Sequence, residues 1–124
     1  MPSTAVDLPS AGPFALALFH QSTGPGAARD VVIGRTGAVD RSPCGAGAGA
    51  LAILLSTRGE LPLGSEIAIE GVIGTRFGAR VIESAAVGEF PGGRPAISGT
   101  ACITGFHQFV LDVHDPLREG FLLG

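Results

Sequence analysis

The chain has 124 residues, of which 45% are hydrophobic and 15% charged, with 20 glycines, nine prolines and a formal net charge of −3. This length suits one compact domain, and the composition excludes a disordered chain and a helical bundle. All eight basic residues are scattered arginines, so no basic stripe could neutralise a nucleic-acid backbone. We expect a single domain of short strands and tight turns that binds no nucleic acid.

The first part of the chain predicts a lead-in and two strands. Residues 1–13 contain three prolines and no apolar periodicity, which indicates a loose lead-in. Residues 14–19 form an apolar run that ends at turn-forming residues 22–26, which suits a buried strand and leaves a short helix open. Residues 31–33 are all β-branched, so a second strand is expected there.

Residues 44–58 predict the central helix, which is glycine-rich at its start and apolar on every face, and therefore enclosed on all sides. Ser42 is the expected N-cap, Pro43 the expected first helical residue, and Gly59 the expected stop. Three alternating glycines in the opening turns each cost about 1 kcal/mol relative to alanine, so a close approach of backbone or ligand is expected there.

The chain after Gly59 predicts short strands and no second helix. Each strand is bounded by glycine or proline, and together they span residues 66–72, 76–83, 96–103 and 108–112. Residues 115–121 are typical of a closing loop. The expected fold class is α+β, with a curved β-sheet or partial barrel around one central helix.

Cys44 is the candidate reactive residue. A thiol two residues into a helix lies beside unpaired N–H groups and the positive end of the helix dipole, which favours thiolate and a base near neutral pH. The N–H groups of residues 45–47 can hold a carboxylate, and Asp40 can pair with a cationic group. A zwitterionic amino acid has both charges. The alternative is that Cys44 is a small buried hydrophobic residue at a helix start.

Three segments of the chain resemble the proline racemases and hydroxyproline epimerases: Asp-Arg-Ser-Pro-Cys-Gly-Ala-Gly at residues 40–47, Glu-Gly-Val-Ile-Gly-Thr-Arg-Phe at 70–77, and Ile-Thr-Gly at 103–105. The resemblance implies that residues 29–124 are the C-terminal portion of such a domain, after a poorly assigned lead-in over 1–28. It also implies one half of a diaminopimelate-epimerase-like fold, in which the substrate lies between the N-termini of two helices.

The activity implied by this resemblance is cofactor-independent inversion at Cα of proline or hydroxyproline. One cysteine takes the proton as thiolate and a second, on the opposite face, returns one as thiol. By this analogy Cys44 is one of the pair, Asp40 contacts the substrate amine, and the Gly45 and Ala46 amides contact its carboxylate. Related dehydratases can carry threonine in place of Cys44, so cysteine favours a racemase or epimerase over a trans-3-hydroxyproline dehydratase.

Two departures from the family pattern bear on activity. The family's Gly-Thr-Gly-Thr is Gly-Ala-Gly-Ala at residues 45–48, and loss of a hydroxyl that bonds the substrate carboxylate costs about 1 kcal/mol or more. The second cysteine normally lies in a Met-Cys-Gly-His-type motif, which this chain lacks. We therefore expect a truncated family member, which is either inactive alone or dependent on a homodimer or a complementing half.

Other candidate sites are weaker. Cys102, in a strand-like context, is expected to pack structurally rather than act as the second base, and Glu70 and Arg76 are expected to be structural partners in a turn. Residues 45–50 also fit the loose dinucleotide fingerprint G-x-G-x-x-A, but residues 40–43 separate them from the preceding strand and no alternating helices follow. A non-catalytic remnant that binds a partner stays open.

Three further expectations concern metal binding, membrane contact and cellular location. His20, His107 and His114 are dispersed and lack metal-ligand spacing, so we expect no metal site. No apolar run reaches membrane-spanning length, and the chain start lacks a secretion signal. Two cysteines without Cys-x-x-Cys spacing suit a reducing compartment. The sequence predicts a cytoplasmic protein without membrane contact.

Overall fold

The computed structural model describes residues 15–122, so the lead-in predicted for residues 1–13 lies outside the described residues. In chain order the elements are β1 (Leu16–Gly24), β2 (Ala27–Gly34), α1 (Gly45–Thr57), β3 (Glu66–Glu70), β4 (Arg76–Val87) and β5 (Phe90–Ser98). The strands form one sheet in the order β1-β2-β3-β4-β5. Neighbouring strands are antiparallel except β2 and β3, which are parallel. A mixed sheet with one helix among the described residues confirms the expected α+β class.

The first two strands form a hairpin. Residues 16–19 of the predicted apolar run lie in strand β1, so the alternative of a short helix is wrong. The expected burial is also wrong, because no residue of β1 is fully buried among the described residues. Gly24 pairs with Ala27 across the turn, and Gly26 takes a φ of 66°, a conformation that glycine adopts without steric cost. The strand signal of residues 31–33 is confirmed within β2.

The helix lies on the connection between the two parallel strands. A parallel pair needs a crossover, and here the chain leaves β2, passes through the loop of residues 35–44, forms α1 and returns to β3. The end of β2 therefore leads directly to the start of the helix. This arrangement places the loop that contains Asp40 beside the helix N-terminus.

The sheet curves around α1 because strands at both of its edges contact the helix. A Cβ on Gly47 would lie 2.8 Å from Leu18 Cδ1 in β1, and one on Gly49 would lie 3.2 Å from Pro95 Cγ in β5. The core fills the concave face with side chains from α1, the loop after it and the three inner strands: Ala28, Ala48, Leu51, Ala52, Leu61, Ile67, Ile69, Ala79 and Val81.

The expectation that the helix is enclosed on all sides is wrong for the described residues. Ala46, Ala50 and Thr57 are exposed, and Ile53 and Leu54 are only half-buried. These positions follow helical spacing along one stripe, and the five strands cover the opposite side. One apolar side of α1 therefore lacks a covering layer within residues 15–122.

The helix ends as predicted. Arg58 is the C-cap residue and Gly59 follows with a φ of 76°. The N–H of Glu60 donates to the carbonyl of Leu55 at 2.8 Å, which closes the last turn. A glycine in the left-handed region after the C-cap is the common way to end a helix.

The last two strands of the sheet differ from their predicted bounds. Strand β4 extends to Val87, and β5 runs over Phe90–Ser98, so the strand predicted for residues 96–103 overlaps it only at its end. Strand β5 contains Pro91 and Pro95, which an edge strand tolerates because a missing N–H can face away from the ladder.

The strand predicted for residues 108–112 is absent. Residues 99–122 contain no helix or strand, and every one of them is exposed. Residues 116–119 form turns, in keeping with the expected closing loop. A strand requires a neighbour to pair with, and no other described residue pairs with this segment. No helix in the described part of the chain has the length and apolarity needed to cross a bilayer.

Candidate active site at the start of the central helix

A tight loop holds Asp40 in place after β2. The N–H of Gly34 donates to the carbonyl of Ala38 at 2.8 Å, and the N–H of Asp40 donates to the carbonyl of Val32 at 2.9 Å. Gly37 takes a φ of 82° within this turn. The chain therefore doubles back along β2 and returns Asp40 toward the start of α1.

Ser42 links Asp40 to Cys44. Its N–H and its hydroxyl both donate to Asp40 Oδ1 at 3.0 Å, and its Oγ accepts the N–H of Cys44 at 3.0 Å. The backbone and side-chain hydrogen bonds from Ser42 lower the pKa of Asp40, with smaller contributions from the Cys44 side chain and the Arg41 charge. Asp40 is thus an oriented carboxylate, and both Ser42 bonds leave its Oδ2 to other partners.

The N-cap of the helix is Cys44, so the prediction of Ser42 as N-cap and Pro43 as first helical residue is wrong. The helix begins at Gly45, and no side chain caps it. The Ser42 hydroxyl is occupied by Asp40 and the Cys44 N–H, and Pro43 is fully buried. The hydrogen-bonded loop therefore displaces the helix start by two residues.

Cys44 has an unusual backbone conformation, with φ 60° and ψ 115°. Within residues 15–122 it is the single non-glycine residue with positive φ. Such a conformation costs about 1–3 kcal/mol in a residue with a Cβ, and it persists where the surroundings over-determine it, which is common at functional sites. Cys44 is therefore a strained residue whose half-buried thiol lies at the N-terminus of the helix.

Unpaired amide groups lie beside the thiol. The first helical hydrogen bond runs from the N–H of Ala48 to the carbonyl of Cys44 at 2.7 Å, so the N–H groups of residues 45–47 precede the first donor of the helix. A Cβ on Gly45 would meet no atom within 4 Å, so this residue borders open space. Ala46 is exposed as well. These two amides are accessible to an anionic group.

The three glycines serve two purposes. Gly45 faces open space, whereas a Cβ on Gly47 would lie 2.8 Å from Leu18 and 3.0 Å from Val32. Gly49 is similarly close to Pro95, at 3.2 Å. The expected close approach is therefore confirmed, but at Gly47 and Gly49 it is an approach of helix to sheet rather than of ligand to backbone.

The segment after β3 supports the site from below. A Cβ on Gly71 would lie 2.9 Å from the nitrogen of Pro43, so only glycine fits under the loop. Beside it, Glu70 accepts hydrogen bonds from Arg76 at 2.8 and 2.9 Å and from Arg29 at 3.1 Å. The expected pairing of Glu70 with Arg76 is confirmed. These arginines lower the pKa of Glu70, Arg76 most strongly.

Asp30 is a buried carboxyl that the sequence analysis missed. It is 3% exposed, and neither oxygen has a hydrogen-bond partner within residues 15–122. Desolvation, followed by the negative charge of Asp40, raises the pKa of Asp30 to about 6. In the parallel pairing of β2 with β3, Arg29 lies opposite Glu70. The next residues, Asp30 and Gly71, therefore lie near each other, and Gly71 contacts Pro43 in the loop before α1. The alternation of buried Ala28, Asp30 and Val32 along β2 was the signal that could have identified it.

The remaining candidates lie away from this site. Cys102 is exposed within residues 99–122, which lack helix and strand, so its predicted packing is wrong in the part of the chain that the structure describes. His107 and His114 are exposed there too. Among residues 15–122 no group of three potential metal ligands comes together. A cavity of about 220 Å³ lies by Arg29, Glu70 and Arg76 and includes neither Cys44 nor Asp40.

A curved mixed sheet around one helix, with a cysteine and an oriented carboxylate at the helix start, places this chain in the class of α+β proteins. The sequence profile described as Proline racemase matches residues 11–122. The chain belongs to the proline racemase family, which confirms the resemblance found in the sequence.

Individual relatives agree with this assignment. A proline racemase of Clostridioides difficile is 42% identical over 107 residues, which are 86% of this chain and 32% of the relative. A trans-3-hydroxy-L-proline dehydratase of Burkholderia cenocepacia is 42% identical over 68% of this chain and 25% of its own. The crystal structure of a hydroxyproline epimerase from Agrobacterium vitis, with bound trans-4-hydroxy-L-proline, superposes with a TM-score of 0.68 at 34% identity, covering 88% of this chain and 31% of that one. This chain thus spans about a third of the relatives' length.

Proposed function

We propose that this chain provides one half-site of a cofactor-independent racemase or epimerase that acts at Cα of proline or 4-hydroxyproline. The observation that supports it most is the strained Cys44 at the start of α1, beside the oriented Asp40 and the accessible amides of Gly45 and Ala46. Proton transfer at Cα needs a base, a partner for the substrate amine and donors for its carboxylate. These residues can meet all three needs.

Each residue has a distinct role in this proposal. The thiolate of Cys44 removes the Cα proton and becomes a thiol. Oδ2 of Asp40 faces the substrate amine, because Ser42 occupies Oδ1. The N–H groups of Gly45 and Ala46 donate to the substrate carboxylate, on which negative charge grows as the proton leaves. Their backbone donors take the place of the hydroxyl absent at residue 46.

Inversion needs a second acid on the opposite face of the substrate. Proton removal by Cys44 leaves a carbanion at Cα, and a proton delivered to the other face completes the change of configuration. We propose that this second thiol comes from a complementing half, related to this one as in a diaminopimelate-epimerase-like fold.

The same proposal divides the chain into a lead-in over residues 1–28 and a racemase-like portion over 29–124. It also places the function in the reducing cytoplasm, which suits two free cysteines.

The competing function is a non-catalytic half-site, and it is favoured by the chain's matching only about a third of the relatives' length. Cysteine at residue 44 favours racemase or epimerase chemistry over dehydration. Dinucleotide binding fits poorly, because Gly47 and Gly49 pack against strands and are not available to a pyrophosphate.

The decisive experiment is Cα hydrogen exchange. The folded chain is incubated with L-proline or with trans-4-hydroxy-L-proline in deuterated water, and loss of the Cα proton is followed by NMR. We expect slow exchange that Cys44→Ser abolishes and that the matched variant Cys102→Ser retains. Exchange that survives Cys44→Ser contradicts the thiol assignment, and absence of exchange in the folded wild-type chain favours the non-catalytic half-site.

A further inference from the structure

Asp30 is a buried carboxyl group that the proposed proton transfer does not use. It lies on the face of β2 that is turned toward the helix, between Ala28 and Val32, which are buried as well. Asp30 is 3% exposed, and neither of its oxygens has a hydrogen-bond partner within residues 15–122. Burial of a carboxylate without a partner destabilises a fold, so packing alone does not account for an aspartate here.

The loop of residues 35–44, which contains the candidate site, lies next to Asp30. The N–H of Asp40 donates to the carbonyl of Val32, two residues after Asp30, at 2.9 Å. One step beyond the last paired residues of β2 and β3, Asp30 lies near Gly71, and a Cβ on Gly71 would lie 2.9 Å from the nitrogen of Pro43. The carboxyl of Asp30 is therefore behind the loop that holds Asp40 in place.

Few charged groups surround this carboxyl. The residue opposite Asp30 on β1 is His20, which is half-buried on the same face of the sheet. The helix α1 contains no charged residue. The titratable and charged groups on the loop and at the end of β3 are Arg35, Asp40, Arg41, Cys44 and Glu70. Desolvation, followed by the charge of Asp40, raises the pKa of Asp30 to about 6, so Asp30 changes charge close to neutral pH.

We propose that Asp30 is a positioning residue for the substrate: its buried carboxylate adds negative potential behind Asp40 and thereby strengthens binding of the substrate amine. This inference rests on the proposed function and adds a residue to it. Charges in the protein interior are screened less than charges in water, so Asp30 acts on the site without touching the substrate. The same potential opposes thiolate formation at Cys44. Asp30 therefore favours binding of the cationic amine over proton removal.

A pair of charged thiol reagents measures the potential at Cys44. Trimethylammonioethyl and sulfonatoethyl methanethiosulfonate each form a mixed disulfide with a thiolate and release methanesulfinate. The ratio of their two rates is independent of the thiolate fraction, and the cationic reagent imitates the charge of the substrate amine. The parent protein for this experiment is the Cys102→Ser chain, in which Cys44 is the remaining thiol.

Removal of the Asp30 charge should change this ratio in a pH-dependent way. We expect the cation-to-anion rate ratio at pH 7.5 to be at least about fivefold lower in Asp30→Asn than in the parent. At pH 5 the carboxyl is neutral in the parent too, so the two ratios should agree within about twofold. Asp112→Asn, which removes an exposed carboxylate, is the matched control and leaves the ratio unchanged. A ratio that Asp30→Asn does not change at pH 7.5, or changes equally at both pH values, would overturn the proposal.

The parent chain provides a measurement that does not depend on folding of the Asp30 variant. Its rate ratio should rise about fivefold or more between pH 5 and pH 7.5 as Asp30 ionises. Histidine side chains also change charge in this range, so the same series is recorded for His20→Gln. A rise that persists in His20→Gln supports Asp30. A rise that His20→Gln abolishes assigns the potential to the histidine and rejects Asp30.

Ligand protection connects the potential to the substrate amine. Protection of Cys44 from labelling is measured with L-proline and with tetrahydrofuran-2-carboxylate, in which an ether oxygen replaces the amine. At pH 7.5 Asp30→Asn should weaken protection by L-proline at least about threefold and leave protection by the ether equal or stronger. Weakening of both to the same extent would show a distorted site and would contradict the electrostatic role.

The outcomes also separate this inference from the proposed function. Exchange of the Cα proton that depends on Cys44, together with a reagent ratio that Asp30→Asn leaves unchanged, keeps the proposed function and rejects Asp30. A ratio that changes as expected, without exchange or protection by L-proline, keeps the action of Asp30 on the potential and rejects the catalytic half-site.

Discussion

The loop that precedes α1 and the C-terminal segment both belong to the family match, yet they differ completely in structure. In the loop, Ser42 connects Asp40 to Cys44 by hydrogen bonds of 3.0 Å, and Pro43 is fully buried. In the C-terminal segment every residue is exposed and no strand forms. Hydrogen bonds within the loop hold it in place, whereas residues 99–122 pair with no strand among the described residues. Local order therefore depends on which contacts the chain itself contains.

Core truncation should give the largest contrast between the two regions. Leu51 is a residue of α1 that is 2% exposed and packs in the core against the sheet. Leu51→Ala should lower the free energy of unfolding by about 3–5 kcal/mol because it leaves a cavity, whereas Phe109→Ala in the C-terminal segment should change it by less than about 0.5 kcal/mol. Urea denaturation of both variants measures this. A large loss for Phe109→Ala would show that the segment packs against this domain in solution.

The next contrast concerns pH. Because burial raises the pKa of Asp30 to about 6 from 3.8, the folded state binds the proton more tightly than the unfolded state. The contribution of Asp30 to stability is therefore fully present below about pH 4 and is lost as the pH rises to about 6, by up to about 3 kcal/mol.

Asp30→Asn should remove this fall and leave the variant more stable than wild type above pH 6. The lowered pKa values of Asp40 and Glu70 act in the opposite direction, so the difference between variant and wild type is the quantity to measure. Asp112→Asn, in the C-terminal segment, is the control. The free energy of unfolding of wild type and of Asp30→Asn is measured by denaturation from pH 4 to pH 8. A constant difference between the two proteins over this range would contradict the burial of Asp30.

The smallest expected change in stability comes from replacing either of two glycines in the first turn of the helix. Gly47→Ala should destabilise the fold by about 1–3 kcal/mol, because its Cβ would overlap Leu18 and Val32. Gly45→Ala meets no neighbour and should stabilise the helix by up to about 1 kcal/mol. Thermal unfolding followed by circular dichroism compares them, and equal effects of the two substitutions would contradict the packing of Gly47 on the sheet.

Several features followed from local chemistry and were predictable. The apolar run after Cys44 specified a helix, and Gly59 specified its end, because a left-handed residue after the C-cap favours glycine. The β-branched residues of β2 specified a strand. The motif around Asp40 and Cys44 pointed to the family.

Other features depended on contacts that the sequence pattern did not specify. Ser42 had the side chain of an N-cap, but Asp40 engages its hydroxyl, so Cys44 takes that position. Strand β5 can contain Pro91 and Pro95 because it lies at the edge of the sheet. Burial of Asp30 followed a period-two pattern that became visible only once β2 was seen to face the helix.

The sequence by itself determined the family, the central helix and the main residues of the candidate site, because these depend on short-range patterns and on a specific motif. Only the tertiary structure decided that Cys44 is a strained N-cap, that Asp30 lies under the site, and that one side of α1 and all of residues 99–122 are bare. Burial depends on which surfaces meet, and contacts between elements that are distant in sequence decide that.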